Sequence, residues 1–393
     1  MKKYKHIFLF VALVFLCFSF SACQKKEETA VPSIEGYPTI HETEFGGVYI
    51  KIPIDEFNKL GFEFGDSVDV EFSSGYKLED IPYYNGYYVD PGQILLIGYP
   101  GYDYIKAAIN YGEDLWDEAK LQIGMGNSPT LFQQVKLDEH STASIRLREK
   151  GKYRDIQEAR DISYTDLRKD YPSDVAFANF RNIVMGQIGE GKVYRSASPC
   201  DNQHKRAPYV DALIKEAAVN HILDLADNDV KIEKYLQAED FASEYFRTLY
   251  EEGRVYPLAL SMNYMGEDFA IKVADGFIAM SKAEGPYLIH CTEGKDRTGF
   301  VCMMLEALAK ADYQQIADDY MLTYDNYYKI NEIKDPARYR VILEKNLDAM
   351  IRYVVGDESV DFRNCDLSIY ARAYLLKAGM EEEQIDTLLE KIG

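Results

Sequence analysis

The chain has 393 residues, 47% of them hydrophobic, and a formal net charge of -21. This length and composition suffice for two globular domains with sizeable cores. The strong negative charge argues against nucleic-acid binding, because the protein would repel the phosphate backbone. Any anionic substrate must therefore be bound in a locally positive site.

Residues 1–22 have the pattern of an export signal. Three lysines precede an apolar run at residues 7–20, which is too short for a comfortable membrane-spanning helix. Phe-Ser-Ala-Cys, ending at Cys23, resembles a bacterial lipobox. It predicts lipidation of Cys23 and an extracytoplasmic protein anchored to the bacterial cell membrane. A plain secretory signal and an uncleaved anchor are the alternatives. Polar residues 23–39 are predicted to form a tether.

Residues 40–168 are predicted to form a smaller, mostly β N-terminal domain of unknown role. Runs rich in β-branched residues predict four of its strands, at Gly47–Ile52, Val68–Phe72, Gln93–Gly98 and Ser144–Arg148. Apolar residues at helical spacing predict one helix over Tyr102–Leu121. Tyrosines cluster within Tyr76–Tyr88. We interpret them as packing residues, with a platform for a sugar or inositol ring as the alternative.

Residues 169–393 are predicted to form an α/β domain, with a mainly parallel sheet flanked by helices and a helical C-terminal tail. A polar linker at Tyr164–Val175 precedes it. The apolar patterns then alternate between strand and helix. The predicted strands are Val193–Ser196, His221–Leu225, Arg254–Leu260 and Tyr287–Ile289, and the predicted helices between them are Pro208–Ala218, Ala238–Glu251 and Phe269–Ala283.

The segment Pro286–Gly299 carries the chemistry of the chain. A short apolar strand leads into a loop from His290 to Arg297, and a helix is predicted to begin at Thr298. Five residues separate Cys291 from Arg297. A loop of this length can direct its N–H groups inward, and the positive helix N-terminus favours both a bound phosphate and a cysteine thiolate. The planar guanidinium can bind two phosphate oxygens at once.

The region 178–393 resembles the protein-tyrosine/dual-specificity phosphatase superfamily, most closely its bacterial tyrosine and lipid phosphatase branch. The matching motifs are Asn179-Phe180-Arg181, Tyr194-Arg195-Ser196, the run H-C-T-E-G-K-D-R-T-G at residues 290–299, and Asp319-Tyr320. One motif departs from the family pattern. The strand that ends in Asp-Leu-Arg in the family reads Asp224-Leu225-Ala226 here, so its arginine is missing.

The resemblance implies phosphomonoester hydrolysis through a cysteinyl-phosphate intermediate. Cys291 is then the nucleophile, and Arg297 with the loop amides stabilises the phosphoryl oxygens. The remaining residues expected to bind substrate or to hold the loop are His290, Thr292, Glu293, Gly294, Lys295 and Thr298. No metal or other cofactor is expected. A phospho-ligand binding protein with little turnover is the alternative function.

The general acid is not determined by the sequence, because no tryptophan-proline-aspartate loop is present. The resemblance favours Asp296, inside the loop itself, although an ion pair that holds the loop is an equal alternative. Asp224 and Asp227, at the end of a predicted strand, are the next candidates. Glu267 and Asp268 come third.

Lys295 bears on the choice of substrate. A lysine after the loop glycine adds a second cation in relatives that act on phosphoinositides. The predicted substrates are therefore phosphotyrosine-type proteins and also lipid or inositol phosphates. The alternative is a solvated lysine opposite Glu293. The other cluster of positive charge consists of His204, Lys205 and Arg206. These residues either line the same pocket or are exposed.

The cysteines do not indicate a metal centre or a disulfide framework. No C-x-x-C pair or zinc-ligand spacing is present. Four cysteines remain after the export signal, and they are scattered along the chain: Cys200, Cys291, Cys302 and Cys365.

Overall fold

The computed structural model describes residues 31–43, 46–121 and 141–393, and its strands form two separate sheets. Helices and strands are both abundant, so the mixed α/β character is confirmed. The export signal predicted for residues 1–22, including Cys17, and the lipidation site Cys23 lie outside the described residues. Among the helices in these three ranges, none combines the length and the apolar composition needed to cross a bilayer.

The first sheet closes into a barrel with the strand order β1-β2-β6-β5-β4-β3-β7. The strands are β1 (Ser33–Glu42), β2 (Gly47–Pro53), β3 (Ser67–Phe72), β4 (Lys77–Tyr84), β5 (Ile94–Ile97), β6 (Tyr104–Ile109) and β7 (Thr142–Glu149). Neighbouring strands are antiparallel except β4 and β5, which are parallel.

The barrel core follows from period-two alternation in its strands. Every second residue of β2 and β3 is apolar and buried: Val48, Ile50, Ile52, Val68, Val70 and Phe72. Aromatic side chains are part of this core, and the rings of Phe57 and Phe62 stack with their centroids 4.0 Å apart. Three short helices accompany the barrel: α1 (Ile54–Lys59), α2 (Leu115–Glu118) and α3 (Arg154–Arg160).

Two sequence predictions in this half are wrong. The segment Tyr102–Leu121 is not one helix but strand β6 followed by the short helix α2. Ile105 and Ala107 point into the barrel, with the two-residue spacing of a strand. Lys106, between them, is buried beneath three tyrosine rings. The tether predicted for residues 23–39 is wrong from Ser33 onward, because β1 pairs with both β2 and β7.

The second sheet has the strand order β11-β10-β12-β9-β8. Its strands are β8 (Arg181–Ile183), β9 (Val193–Ser196), β10 (His221–Asp224), β11 (Val255–Pro257) and β12 (Tyr287–His290). The pairs β10–β11, β10–β12 and β12–β9 are parallel, whereas β8 runs antiparallel to β9. Strand β12 therefore lies in the middle of the sheet.

Helices cover both faces of this sheet. They are α4 (Asp174–Phe177), α5 (Ala207–Glu216), α6 (Asp229–Leu236), α7 (Glu244–Glu251), α8 (Glu267–Lys282) and α9 (Asp296–Leu308). Ile222 and Leu288 pack with one helical layer, while their neighbours Leu223 and Ile289 pack with the other. A strand buried on both faces has no polar alternation, which explains the continuous apolar runs. The helix predicted over Ala238–Glu251 is wrong in its first half, since α7 begins only at Glu244.

The C-terminal tail consists of helices α10 (Tyr313–Tyr328), α11 (Pro336–Ile342), α12 (Asp348–Val355), α13 (Leu367–Lys377) and α14 (Glu382–Ile392). Of these, α10, α13 and α14 pack against α8 or α9, and α11 packs against α3. A π-helical turn, Leu343–Leu347, joins α11 to α12. The two halves of the chain touch there, because Lys345 Nζ lies 3.1 Å from the Asp90 carboxylate. Arg338 Nε also donates to the carbonyl oxygen of Glu158 at 3.1 Å.

Candidate active site

The loop with Cys291 and Arg297 starts at the carboxyl end of the central strand β12, where open α/β sheets bind their ligands. Helix α9 begins at Asp296, two residues earlier than the sequence predicted. Cys291 is only 3% exposed. The Thr292 carbonyl accepts a hydrogen bond from the Ser198 backbone at 3.2 Å, which fixes the loop against the segment after β9.

Two glycines allow the loop to pack this closely. Gly294 has a φ of 68°, and a Cβ atom there would lie 2.2 Å from the Ser196 carbonyl oxygen. A Cβ atom on Gly299 would lie 2.6 Å from the ring of Tyr320. Any larger residue at either position must displace backbone or a packed ring, so both glycines are structurally required.

Arg297 keeps its guanidinium available for an anion. Its Nη1 donates to the Leu260 carbonyl oxygen and its Nη2 to Thr292 Oγ1, each at 3.3 Å. Within the described ranges it has no carboxylate partner, and its Nε is buried without a hydrogen bond. An unpaired cation with free donors suits a phosphate oxygen. Thr298 is fully buried, and its hydroxyl oxygen likewise has no partner among the described residues.

The motif residues that carried the family resemblance meet beneath Gly294. Asn179 Nδ2 and Arg195 Nη2 each donate to the Gly294 carbonyl oxygen at 3.1 Å. Arg181 and Arg195 both pair with the carboxylate of Asp319. Burial acts to raise the pKa of Asp319, but the two arginines outweigh it and hold that pKa well below its ordinary value. Motifs far apart in the chain therefore support one loop.

Asp224 and Asp227 lie behind the loop rather than at its surface. Both are buried, and Asp224 Oδ1 accepts the N–H groups of Ala226 and Asp227. Its Oδ2 lies 3.8 Å from Nε2 of His290, whose ring is fully buried. Burial raises the pKa of both carboxyls, and the charge of Asp224 raises that of Asp227 further. Burial also lowers the pKa of His290 to about 4, which favours the neutral ring.

Asp296 and Lys295 face a different environment. The Asp296 side chain is 44% exposed, and Lys295 Nζ lies 2.8 Å from one of its carboxylate oxygens. Lys295 is also 3.8 Å from Glu293, so it is held between two carboxylates and is not the solvated residue of the alternative interpretation. Of the candidate acids, only Asp296 is both half-exposed and next to a cavity. Glu267 and Asp268 are exposed in the first turn of α8 and do not border that cavity.

Sequence reasoning missed the residues that hold Glu293. The hydroxyl of Tyr164 donates to the Glu293 carboxylate at 2.8 Å, and the hydroxyl of Tyr327 donates to its carbonyl oxygen at 2.7 Å. Arg206 is buried among aromatic rings near Tyr164 and pairs with Asp166 in the linker at 2.7 Å. No sequence motif links these positions to the loop.

The positive cluster after β9 does not line the cavity beside the loop. Arg206 is only 2% exposed, and Lys205 is exposed and pairs with Asp240 at 3.8 Å. His204 Nε2 lies 3.9 Å from the Glu293 carboxylate. His204 and Arg206 therefore contact the linker or the loop from outside the pocket.

A cavity of about 270 Å³ lies beside the loop, between the barrel and the second sheet. The loop contributes Lys295, Asp296 and Arg297 to its wall, and the barrel half contributes residues from the β6–α2 connection and from the end of α3. Cys291 is not among the described residues that border it. The cavity therefore adjoins the Arg297 side of the loop.

A second group of side chains has the chemistry of metal ligands. Ligand atoms of Cys200, Asp224 and Asp227 lie within 4.8 Å of one another, and all three residues are buried. Burial, together with the negative charge of Asp224, raises the pKa of the Cys200 thiol well above its ordinary value. A cation would be needed to favour the thiolate there. The four described cysteines are all free thiols.

The chain was compared with solved structures. It matches an uncharacterized conserved protein from Thermotoga maritima at 21% identity and a TM-score of 0.22, covering 30% of this chain and 36% of that one. The core catalytic domain of the PP-IP phosphatase SIW14 from S. cerevisiae matches at 20% identity and a TM-score of 0.26. This match covers 47% of this chain and 96% of that domain. P. aeruginosa TpbA matches at 17% identity and a TM-score of 0.22, and the match covers 56% of this chain and 98% of TpbA. At such low TM-scores these matches do not constrain the fold or the function.

A comparison with curated proteins finds no match. The sequence profile of the tyrosine phosphatase family, in contrast, matches residues 177–392, which is more than half of the chain. That range contains the second sheet, the loop with Cys291 and Arg297, and the buried network beneath Gly294. The chain belongs to the tyrosine phosphatase family.

Proposed function

We propose that the chain hydrolyses phosphomonoesters through a cysteinyl-phosphate intermediate. Membership of the tyrosine phosphatase family supports phosphatase activity. The observation that carries the mechanism is the pairing of Cys291, at the end of the central strand, with Arg297, whose guanidinium has no carboxylate partner in the described part of the chain. Arg297 lies in the first turn of α9, where the helix dipole favours an anion.

The proposed reaction has two steps. In the first, the Cys291 thiolate attacks phosphorus, an S–P bond forms, and the bond from phosphorus to the leaving oxygen breaks. The leaving oxygen takes a proton from a general acid. In the second, water attacks phosphorus and gives a proton to the deprotonated general acid, and the S–P bond breaks. This gives inorganic phosphate and returns the thiolate and the protonated acid. Arg297 and the amides of the loop stabilise the phosphoryl oxygens in both steps.

The remaining loop residues are assigned supporting roles. Thr298 has a buried hydroxyl without a partner in the described ranges, and it is proposed to donate a hydrogen bond to the thiolate when the intermediate breaks down. His290 is proposed to hold the loop through its position beside Asp224. Asp296 is proposed as the general acid because it adjoins the cavity, and Asp224 and Asp227 are the alternatives.

The proposed substrates are phosphotyrosine-type proteins and lipid or inositol phosphates. Lys295 supports the second group, since it adds a cation next to Arg297 at the cavity wall.

We also propose that lipidated Cys23 anchors the protein to the outside of the bacterial cell membrane. Incorporation of a labelled fatty acid into the unaltered chain, and none into Cys23→Ser, is the expected outcome. Absence of label from the unaltered chain would contradict the anchor.

The test of the activity is release of a chromogenic phenol from an aryl phosphate under reducing conditions. We expect turnover by the unaltered chain and none above background by Cys291→Ser, because serine at this site is a far weaker nucleophile. A chain as inactive as Cys291→Ser would instead indicate a phospho-ligand binding protein. Equal activity of the two chains would rule out Cys291 as the nucleophile.

A further inference from the structure

The cavity beside the loop has one wall that the family match does not include. Asn110 and Tyr111, between β6 and α2, and Arg160, the last residue of α3, border it from the barrel half of the chain. The opposite wall includes Lys295, Arg297 and Lys345. A substrate held at Arg297 therefore extends toward side chains that lie outside residues 177–392.

The cations of this cavity differ in how they are neutralised. Lys295 pairs with Asp296, and Lys345 pairs with Asp90. Arg160 has no carboxylate within 4 Å in the described ranges, and its guanidinium lies 5.5 Å from the centre of the Tyr88 ring. In a chain with a net charge of -21, a half-buried arginine without a carboxylate partner is free to bind an anionic ligand.

Tyr111 joins the two walls of the cavity. Its φ of 50° lies in the left-handed region, which residues other than glycine rarely adopt and which recurs at ligand sites. Burial and then the Asp296 carboxylate raise the pKa of Tyr111, while Lys295, Arg160 and Arg297 act to lower it. Tyr111 is 40% exposed and borders the same cavity as these charged residues, and its raised pKa keeps the phenol a hydrogen-bond donor at neutral pH.

We propose that Arg160 and Tyr111 form a subsite for a second phosphate group of the substrate, next to the phosphate that reacts at Cys291. The inference rests on the proposed hydrolytic function. It assigns the substrate to molecules that carry a second phosphate near the one that is hydrolysed. The same chemistry occurs in a soluble metabolite and in a lipid headgroup.

The test compares the unaltered full chain with Arg160→Gln, Tyr111→Phe and Arg160→Lys. One substrate is an aryl monophosphate, and the other is a soluble inositol polyphosphate with adjacent phosphates. We expect Arg160→Gln to lower kcat/KM for the polyphosphate about tenfold more than for the monophosphate, since a charged hydrogen bond is lost. Tyr111→Phe is expected to give a smaller difference in the same direction, and Arg160→Lys to restore part of the loss.

Arg154→Gln is the matched control. Arg154 is on the same helix, pairs with Glu63 at 3.3 Å and does not border the cavity. It should change both substrates less than about twofold. A second arm presents the same phosphorylated headgroup on phospholipid vesicles. A tenfold selective loss of kcat/KM in Arg160→Gln, in either arm, supports the subsite. The arm in which the unaltered chain is more active identifies the soluble or the lipid source.

Equal loss for both substrates with Arg160→Gln, or no loss, would overturn the subsite while leaving the hydrolytic function intact. Failure of that function is recognised separately, as absence of any Cys291-dependent turnover. In that case, calorimetric binding of the inositol polyphosphate to the Cys291→Ser chain decides the question. The subsite requires that adding Arg160→Gln weakens this binding about tenfold. Unchanged binding overturns it.

Discussion

Among the single residues of the site, the carboxylates are distinguished by their access to the cavity. Asp296 is half-exposed and borders it, whereas Asp224 and Asp227 are buried behind the loop. A general acid must reach the bridging oxygen of a bound substrate, directly or through one water. Position therefore favours Asp296, although its ion pair with Lys295 shows that it also has a structural contact.

Replacing Asp296 by asparagine should lower kcat/KM by about 10²–10⁴-fold for aryl phosphates with poor leaving groups, because a proton donor is lost. Phenols of low pKa leave without protonation, so their phosphates should be affected much less. The measurement is kcat/KM across a series of aryl phosphates. Asp224→Asn is the comparison, and a steeper leaving-group dependence in that variant would move the acid to Asp224.

The buried pair Asp224 and Asp227 should make stability depend on pH. Burial raises both pKa values to about 6, above the ordinary 3.8, so the folded state disfavours their ionisation. The stability that the two protonated carboxyls contribute is fully present below about pH 4, and it is lost as the pH rises through about 6. The free energy of unfolding of Asp227→Asn should therefore exceed that of the unaltered chain by about 1–3 kcal/mol at pH 8. At pH 4 the two free energies should not differ in this way.

Urea unfolding at the two pH values measures this difference. Asp229→Asn is a suitable control, since Asp229 lies nearby in the first turn of α6 and is exposed. A gain of equal size at both pH values would mean that the pair does not titrate in this range.

At the scale of elements, the loop depends on a buried network from four segments. Asn179 precedes β8, Arg195 lies in β9, Asp319 lies in α10, and Gly294 is the loop position that they support. The carboxylate of Asp319 is the only group that both Arg181 and Arg195 pair with among the described residues. Removing it breaks both ion pairs while the two guanidinium groups stay buried.

Asp319→Asn should lower the free energy of unfolding by about 3–5 kcal/mol, the usual cost of breaking a buried ion pair on one side. Asp318→Asn provides a neighbouring control on the same helix, because Asp318 is exposed and bonds only Gln314 among the described side chains. It should change the unfolding free energy by about 0.5 kcal/mol or less. Similar losses in both variants would show that the network is not the stabilising element. Thermal or urea unfolding measures both.

The elements were predictable where their signals are local. The strand, loop and helix around Cys291 follow from a contiguous apolar run and a contiguous motif, and the structure differs only in the start of α9. The segment Tyr102–Leu121 was wrong because its apolar spacing fits both a helix and a strand, and only pairing with β2 and β5 decides between them. Helix α6 was missed because it is short and half of its residues are charged.

The site was predictable only in its contiguous part. Cys291 and Arg297 lie within one motif, whereas Tyr164, Tyr111 and Arg160 reach the loop or the cavity from more than a hundred residues away. Such contacts depend on how the barrel and the second sheet meet. A single sequence contains no local signal for that arrangement.

At the scale of the whole molecule, the linker joins the two halves and also contacts the loop. Tyr164 donates its hydroxyl hydrogen to Glu293, and Tyr327 stacks on the Tyr164 ring with 5.1 Å between centroids. The linker therefore positions the loop as well as connecting the sheets. Loop geometry controls how the N–H groups meet the phosphate, so a small shift there affects turnover.

Tyr164→Phe should lower kcat several-fold with a loss of stability of about 1 kcal/mol, the usual value of one hydrogen bond. Because the residue acts on the loop, kcat should fall more than KM rises. Tyr250→Phe removes a comparable tyrosine–carboxylate bond, to Asp229 at 3.1 Å, away from the loop. Steady-state kinetics and urea unfolding on both variants separate positioning from general destabilisation. A kcat for Tyr164→Phe equal to that of Tyr250→Phe would contradict the positioning role.

The cysteinyl-phosphate distinguishes the proposed mechanism from direct attack by water, and it can be trapped. The chain is mixed with an aryl phosphate, quenched in acid within the first turnover, digested, and examined by mass spectrometry. We expect a phosphoryl adduct on the peptide that contains Cys291 and none on the same peptide of Cys291→Ser. Turnover that persists in Cys291→Ser, with no adduct on the unaltered peptide, would contradict it.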